Sequence, residues 1–475
     1  MLRNLSNRHE IDMTQGSLFP KIIAFALPLM LTSILQLLFN SADMIVVGQF
    51  VDSNAVGAVG STGSLNALIV NIAIGFSGGA GVVLAGAYGA KDKEYADKVL
   101  HSAMLLSIIS GFVIAIVGFF SARSLLTLMG STPEQIDDAA TYLEIIFLGS
   151  PANMVYNFGS SMLRATGDTT RPLVFLTASG VINIIVNIIT VVCFGMGVAG
   201  VAIATILSQA ISATLVVVTL IKNKGFLKFS FKKLRFDKKA ISEILRLGIP
   251  TGIQSSLFSI SNVLLQSAVN SFGSAVVNGS AVAGQIEGYV YACVNSISTT
   301  SLTVVGQNYG AKNYRRIRRT VWISLGLVSS VVLVIGWLAV LMHSPLCRLF
   351  IKSDTSPELV AKIVSNAFER MIIICGTYFI DGIMEVMSSA LRSIGYPVTS
   401  MLIVLVGTCL FRVIWIYLIF PLYPRLWFLF ALYPISWTIT SVVAGIVLAI
   451  KIKKDGVAAE AQNVSEDNGD IALEM

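Results

Sequence analysis

Asp43 is a carboxylate in a stretch, Ile22 to Phe50, that is otherwise almost wholly apolar, and it stands seven residues after Gln36 and three after Asn40. Those intervals put the three polar side chains on one face of a helix. In a membrane, a central charge of this kind costs about 2.5–3.5 kcal/mol even on the most tolerant insertion scale. A residue kept against that cost is a candidate for binding a cation or a proton. Gln36 and Asn40 would serve equally as hydrogen-bonding contacts between helices. Asp381 and Glu385, four residues apart in a second apolar segment, are like charges one turn apart. Their mutual repulsion favours uptake of a proton or attraction of a cation; the alternative is neutralisation by a neighbour such as Arg412. Glu287 falls under the same argument and shares its segment with Gln285, Tyr289 and Asn295, while the preceding segment carries Ser255, Ser259, Asn262, Gln266 and Asn270. Such stripes suit the wall of a wet cavity or close helix packing.

Enzymatic readings are weaker. Gly75-Phe76-Ser77-Gly78-Gly79 has the G-x-S-x-G form of serine hydrolases, but a nucleophilic serine needs a base. The three histidines, His9, His101 and His343, fall in or beside the polar ends of segments. Helix packing through Gly75 and Gly79, or a flexible kink, accounts for the motif better. No glycine-rich phosphate loop ending in Gly-Lys-Ser/Thr occurs, so ATP-driven work by this chain alone has no support. The five cysteines lie in or beside apolar segments without paired spacing and read as small buried hydrophobes. The expectation is a protein that is not an enzyme and has no cofactor.

The elements that position these residues are membrane spans. Charged residues make up 12% of the chain against roughly 25% in soluble domains, and a mean hydropathy of +0.79 exceeds what one soluble core hides. Residues 1–20 are polar, so the first apolar run is expected to remain as a helix rather than be cleaved as a leader. A span needs about 20 apolar residues, and punctuation by Gly, Pro and charge gives twelve segments, near 22–50, 54–86, 96–121, 136–164, 171–194, 197–222, 242–271, 275–306, 317–343, 358–391, 397–420 and 426–450. The chain also repeats itself. Leu27-Pro28 and Tyr88-Gly89-Ala90-Lys91 return as Ile249-Pro250 and Tyr309-Gly310-Ala311-Lys312, 222 and 221 residues later, and Met162-Leu163-Arg164 returns as Ala390-Leu391-Arg392 after 228. Six spans per repeat bring each half back to its starting side. The predicted fold is therefore all-α and membrane-embedded, with two six-helix bundles related by a pseudo-two-fold axis along the membrane normal. The interval of 228 maps Asp381 and Glu385 onto Asn153 and Asn157, so the halves differ in charge at matching positions.

Placing the amino terminus in the cytoplasm puts 26 of the 33 Lys and Arg residues on that side, which predicts both termini inside and makes the net charge of +7 topological. The basic residues are dispersed and lack interleaved aromatics, so nucleic acid is a poor partner. The expected organisation is a cytoplasmic segment 1–21, an amino-terminal lobe 22–222, a basic linker 223–241, a carboxy-terminal lobe 242–450 and an acidic tail 451–475 expected to be disordered.

The two-times-six repeat, the Leu27-Pro28 to Asn40-Ser41-Ala42-Asp43 pattern, the Tyr-Gly-Ala-Lys turns and the Leu-Arg-x-x-Gly after the fourth and tenth spans resemble the multidrug and toxic compound extrusion family over about residues 14–452. The resemblance implies alternating access by two bundles and export of cationic or amphipathic compounds in exchange for inward sodium or protons, by a monomer. Carried over by position, the family's amino-lobe cation site falls on Asp43, Asn183, Asn187 and Thr205. Asn187 is an amide where part of the family has a carboxylate, so Asp43 holds that site's only charge. Of the carboxy-lobe sodium site, the aspartate matches Asp381 but the glutamate position falls on Phe258, which weakens its transfer; Glu287 and Glu385 are the substitutes the chain offers. Gln36, Asn40, Asn153, Asn157, Asn262, Gln266, Glu287, Asp381 and Glu385 are then candidates for a substrate or second cation site. Sodium is compatible with amide and hydroxyl oxygens, whereas one desolvated carboxylate favours the proton. A flippase for lipid-linked oligosaccharides or cell-wall precursors is the competing reading. It would want bases in the path, where the chain sets Asp43, Asp381, Glu385 and Glu287 against chiefly Arg370 and Arg412. The expected location is the plasma membrane of a prokaryote.

Overall fold

The computed structural model describes residues 10–51, 53–129, 135–223, 225–351 and 355–473, and all regular structure among them is helical. Of the expected cytoplasmic amino-terminal segment, residues 1–9 lie outside the described residues. The first half forms α1 (Leu18–Phe50), α2 (Ser53–Gly89), α3 (Lys93–Leu128), α4 (Ile136–Leu148), α5 (Ser150–Ala165), α6 (Thr170–Ile188) and α7 (Gly197–Lys222). The second forms α8 (Lys238–Asn270), α9 (Ser274–Gly310), α10 (Tyr314–Leu341), the short α11 (His343–Arg348), α12 (Pro357–Ser393), α13 (Pro397–Val404), α14 (Phe411–Ile414) and α15 (Leu426–Leu473). Among the described residues, nine helical segments are long and apolar enough to cross a membrane. Three expected spans fall short for local reasons: α4 and α5 divide one at Gly149, and the polar stripes of α8 and α9 dilute their apolar runs.

The repeated motifs are helix punctuation. At the Tyr-Gly-Ala-Lys turns, Lys91 and Lys312 adopt φ of 59° and 52°. The amides that follow return to the helices they leave, Asp92 to the Ala87 carbonyl at 3.0 Å and Asn313 to that of Asn308 at 2.9 Å. The side chains of Asp92 and Asn313 then cap the next helix by accepting from Tyr95 and Arg316 N–H. Gly167 and Gly395, at φ of 96° and 88°, end the Leu-Arg-x-x-Gly segments in the same way. The pattern that reveals the repeat thus encodes where helices stop and start, and chemistry must lie elsewhere.

The chain forms two units, which divide within helices rather than at the linker. One holds residues up to Asp12 with Ile23–Ser256, the other Met13–Ile22 with Leu257–Met475. Arg316 fixes the short segment in the second unit by donating to the carbonyls of Met13, Gln15 and Gly16. In the first unit, α2 crosses the first half of α8 on glycine. A Cβ on Gly79 would sit 2.7 Å from Gly248 N, and one on Gly75 would sit 2.8 Å from Gly252 Cα. Gly75 and Gly79 are therefore a close-packing pair, as the sequence predicts. The basic linker docks on this unit: Leu227 and Phe229 join its core, Ser230 N–H donates to His101 Nε2 at 3.1 Å, and the Arg235 carbonyl accepts from Ser102. The tail expected to be disordered continues α15 to Leu473; its Ala, Glu and Gln residues are sound helix formers and no proline interrupts them.

Gly79→Ala should destabilise the protein by about 1–3 kcal/mol, because the helix backbones leave no room to relax. Gly78→Ala, with open space around its Cβ position, should be neutral or mildly stabilising. Thermal melts of both variants in detergent check the contrast.

Candidate functional site

In the first unit, α1 and α6 meet where Gly180 leaves space for the Phe39 ring, with which any Cβ would overlap. One turn beyond Phe39 is Asp43, and two turns beyond Gly180 is Asn187. Asn187 is fully buried and Asn183 nearly so. The Asn187 amide donates to Asp43 Oδ1 at 2.6 Å and to Asn183 Oδ1 at 3.4 Å, while its own Oδ1 is buried without a hydrogen-bond partner among the described residues. Such an acceptor takes the positive end of a partner, either an acidic O–H or a hard cation. Immediately after this turn α6 widens into a π-helical segment, Ile189–Cys193, held to α7 by Thr190 Oγ1 donating to the Gly200 carbonyl at 3.1 Å. π-bulges recur at functional sites. The sequence-predicted set is thus brought together for Asp43, Asn183 and Asn187. Thr205 Oγ1 donates to Val201 O of its own helix at 2.9 Å, and no hydrogen bond among the described residues ties it to Asp43. Gln36 and Asn40 are exposed on the preceding turns of α1. Asn157 donates to Asn153 Oδ1 at 2.9 Å, a contact within α5.

The interior of the second unit holds Glu287, Arg370, Asp381, Glu385 and Arg412. Glu287 on α9 accepts from both Nε and Nη2 of Arg370 on α12, at 2.7 and 2.8 Å, while Nη1 donates to Ser280 at 2.7 Å and the guanidinium lies 5.3 Å from the Phe430 ring. Both partners are nearly buried, at 11% and 9% side-chain exposure. Both oxygens of Glu287, a candidate for a substrate or second cation site, accept from an arginine that joins α9 to α12. Arg412, the neighbour named in the alternative reading of the acidic pair, donates from Nη1 to Asn262 Oδ1 at 2.8 Å, with the rings of Phe258 and Tyr433 each 4.6 Å away. No ion pair joins it to Asp381 among the described residues, although the two charges lie within electrostatic reach. Glu385 is held only loosely, 3.9 Å from Arg392. Gln266 pairs with Asn270 at 3.0 Å on an exposed face.

Sequence reasoning passed over Tyr142, a buried phenol on α4 within electrostatic reach of Asp43, and the Phe39–Gly180 contact. Neither carries a pattern signal, because a tyrosine near a membrane end and a glycine in a helix are both common.

The family model described as MatE matches residues 28–189 and 250–418. The chain is 28% identical over 392 residues to "Probable multidrug resistance protein YoeA" of Bacillus subtilis (strain 168), covering 80% of this chain and 82% of that one. It is 28% identical over 400 residues to "Probable multidrug resistance protein NorM" of Thermotoga maritima, with 82% of each covered. In fold it is similar to a MOP superfamily transporter from Pyrococcus furiosus, with a TM-score of 0.86 at 22% identity over 94% of this chain and 98% of that one.

Glu287→Gln should lower stability by about 3–5 kcal/mol, since it leaves Arg370 buried with its charge unmatched. Pairing Glu287→Leu with Arg370→Met should recover most of the loss. Melting temperatures of the single and double variants, with a double-mutant cycle, measure both.

Proposed function

The chain belongs to the multidrug and toxic compound extrusion family, whose model matches both of its halves, and from that premise we propose that it is a secondary antiporter that exports cationic or amphipathic small molecules in exchange for protons. The observation that carries the reading is Asp43, a lone carboxylate on an apolar helix, held by the Asn187 amide beside an unpartnered amide oxygen. Ionised, Asp43 accepts from the Asn187 amide. Protonated, it has an O–H to offer, and Asn187 Oδ1 is an acceptor of the kind that would receive it. Both protonation states can therefore be housed by small rotations, which suits a group that loads and unloads once per cycle. With one carboxylate, the site offers a sodium ion little charge in return for its lost hydration.

Cargo of positive charge fits the acids of the second unit. With Glu287 matched by Arg370, Asp381 and Glu385 stand against Arg412 and Arg392, so this interior holds no surplus of base. That balance speaks against a lipid-phosphate path. The charge bias of the loops supports a cytoplasmic position for both termini, in a reading that sets the protein in a prokaryotic plasma membrane.

Asp43→Asn should remain folded, since the amide keeps the volume and removes a buried charge, yet lose gradient-driven export. Ethidium uptake into inverted vesicles at matched protein abundance tests it, and parental rates in the variant refute the role given to Asp43. For the coupling ion, proteoliposomes with a pH gradient and no sodium should transport the dye, and protonophore should abolish transport. Robust antiport under a sodium gradient at equal pH, insensitive to protonophore, would assign Asp43 to sodium.

A further inference from the structure

The second unit contains two buried arginines whose partners differ in a way that defines a ligand. A guanidinium presents two parallel N–H bonds, from Nε and one Nη2 hydrogen, in a fork that matches the two oxygens of a carboxylate. Arg370 fills that fork with Glu287 and its remaining nitrogen with Ser280. Arg412 is fully buried and its Nη1 is likewise engaged, by Asn262, but Nε and Nη2 have no hydrogen-bond partner among the described residues. The rings of Phe258 and Tyr433 flank the guanidinium, each 4.6 Å from it. Leaving donors of a charged group unpaired in a dry interior is among the more expensive arrangements a protein can hold. Asn262, which holds Nη1, is itself exposed, so the arginine lies one side chain behind an open face of α8.

The internal repeat singles out the same place. Pro397 stands 225 residues after Pro172, and that interval carries Asn187 onto Arg412; Pro250 stands 222 after Pro28, and that interval carries Asn40 onto Asn262. Each unit therefore joins its first long helix to the same position of its fifth span by a polar bond, Asp43 to Asn187 in one and Asn262 to Arg412 in the other. The sign of the charge is reversed. π-helical segments adjoin both positions, Ile189–Cys193 after Asn187, and Leu405–Leu410 and Trp415–Ile419 on either side of Arg412. A π-turn holds one surplus residue, and its conversion to an α-turn would rotate the intervening turn and present the fork.

We propose that Arg412, with Asn262 at its mouth, is a carboxylate-binding subsite of the carboxy-terminal unit, which takes the acidic group of zwitterionic amphipathic compounds while Asp381 and Glu385 face their cationic part. The inference rests on the efflux reading and assigns a place in the carboxy-terminal unit to the cargo's carboxylate. It also gives Phe258 a role: the ring covers the arginine at the position where the family resemblance would put a glutamate, whose carboxylate would have filled the fork permanently.

The test is equilibrium binding, by fluorescence anisotropy, of two probes to the purified full-length protein in detergent. One is tetramethylrhodamine, which carries a free carboxylate, and the other is its methyl ester, which does not. Arg412→Lys keeps the charge and loses the fork; it should weaken the zwitterion about tenfold or more and leave the ester within about twofold of the parent. Asn262→Asp supplies a resident carboxylate and should abolish the preference for the zwitterion while raising the melting temperature, which keeps the test intact if Arg412 variants fold poorly. Sodium benzoate should compete with the zwitterion in the parent and benzamide should not; benzoate competing with the zwitterion alone means that the subsite reads the cargo's carboxylate. Chloride competing as well as benzoate would overturn the fork geometry in favour of a simple anion site. Equal losses for both dyes, or none, would overturn the subsite. Gradient-driven export of ethidium is measured on the parent alone: its absence refutes the efflux reading, while the binding comparison of the two dyes judges the subsite by itself.

Discussion

In hydrocarbon an ionised side chain has no water to fall back on, so each one must be matched, solvated by dipoles, or used. That constraint sorts the interior of this protein. Glu287 and Arg370 are matched, and their geometry is that of a clamp, with both carboxylate oxygens and three guanidinium nitrogens engaged. Asp43 is solvated by a single amide dipole. Arg412 is held by one amide and two ring faces. The less completely a buried charge is satisfied, the more of its electrostatic energy is left to be exchanged with something that arrives from outside.

Much of the fold was legible because its signals are local and physical. Length and apolarity mark spans, glycine and proline mark their ends, and the repeated Tyr-Gly-Ala-Lys turn carries its own instructions in a left-handed residue followed by a capping side chain. The Gly75 and Gly79 pair could be read as a packing motif, but not its partner, because Gly248 and Gly252 are remote in sequence. In the acidic tail, charge and helix propensity point in different directions. Charge density argued for disorder, while helix propensity and the continuity of α15 extend the helix through it.

At the site, the sequence supplied the charged residues and not their pairings. Asp43 with Asn183 and Asn187 was recoverable through resemblance and spacing. The fate of Glu287 was not, because nothing along the chain says that Arg370, 83 residues away, will reach it. Nor does anything along the chain say that Arg412 will be held by Asn262, 150 residues away.

The placement of the unit boundaries inside α1 and α8 has a consequence for biosynthesis. The core of the first unit includes Ala240 and Ile244, from the start of α8, so this unit is incomplete when its own six spans have left the ribosome and closes only after the linker and part of the next helix follow. Met13–Ile22 meets the reverse situation: it is made first and belongs to the unit completed last. A nascent chain therefore carries an unsatisfied helix end through most of its synthesis, and a gene cut at the linker would yield two products that each lack a piece encoded by the other.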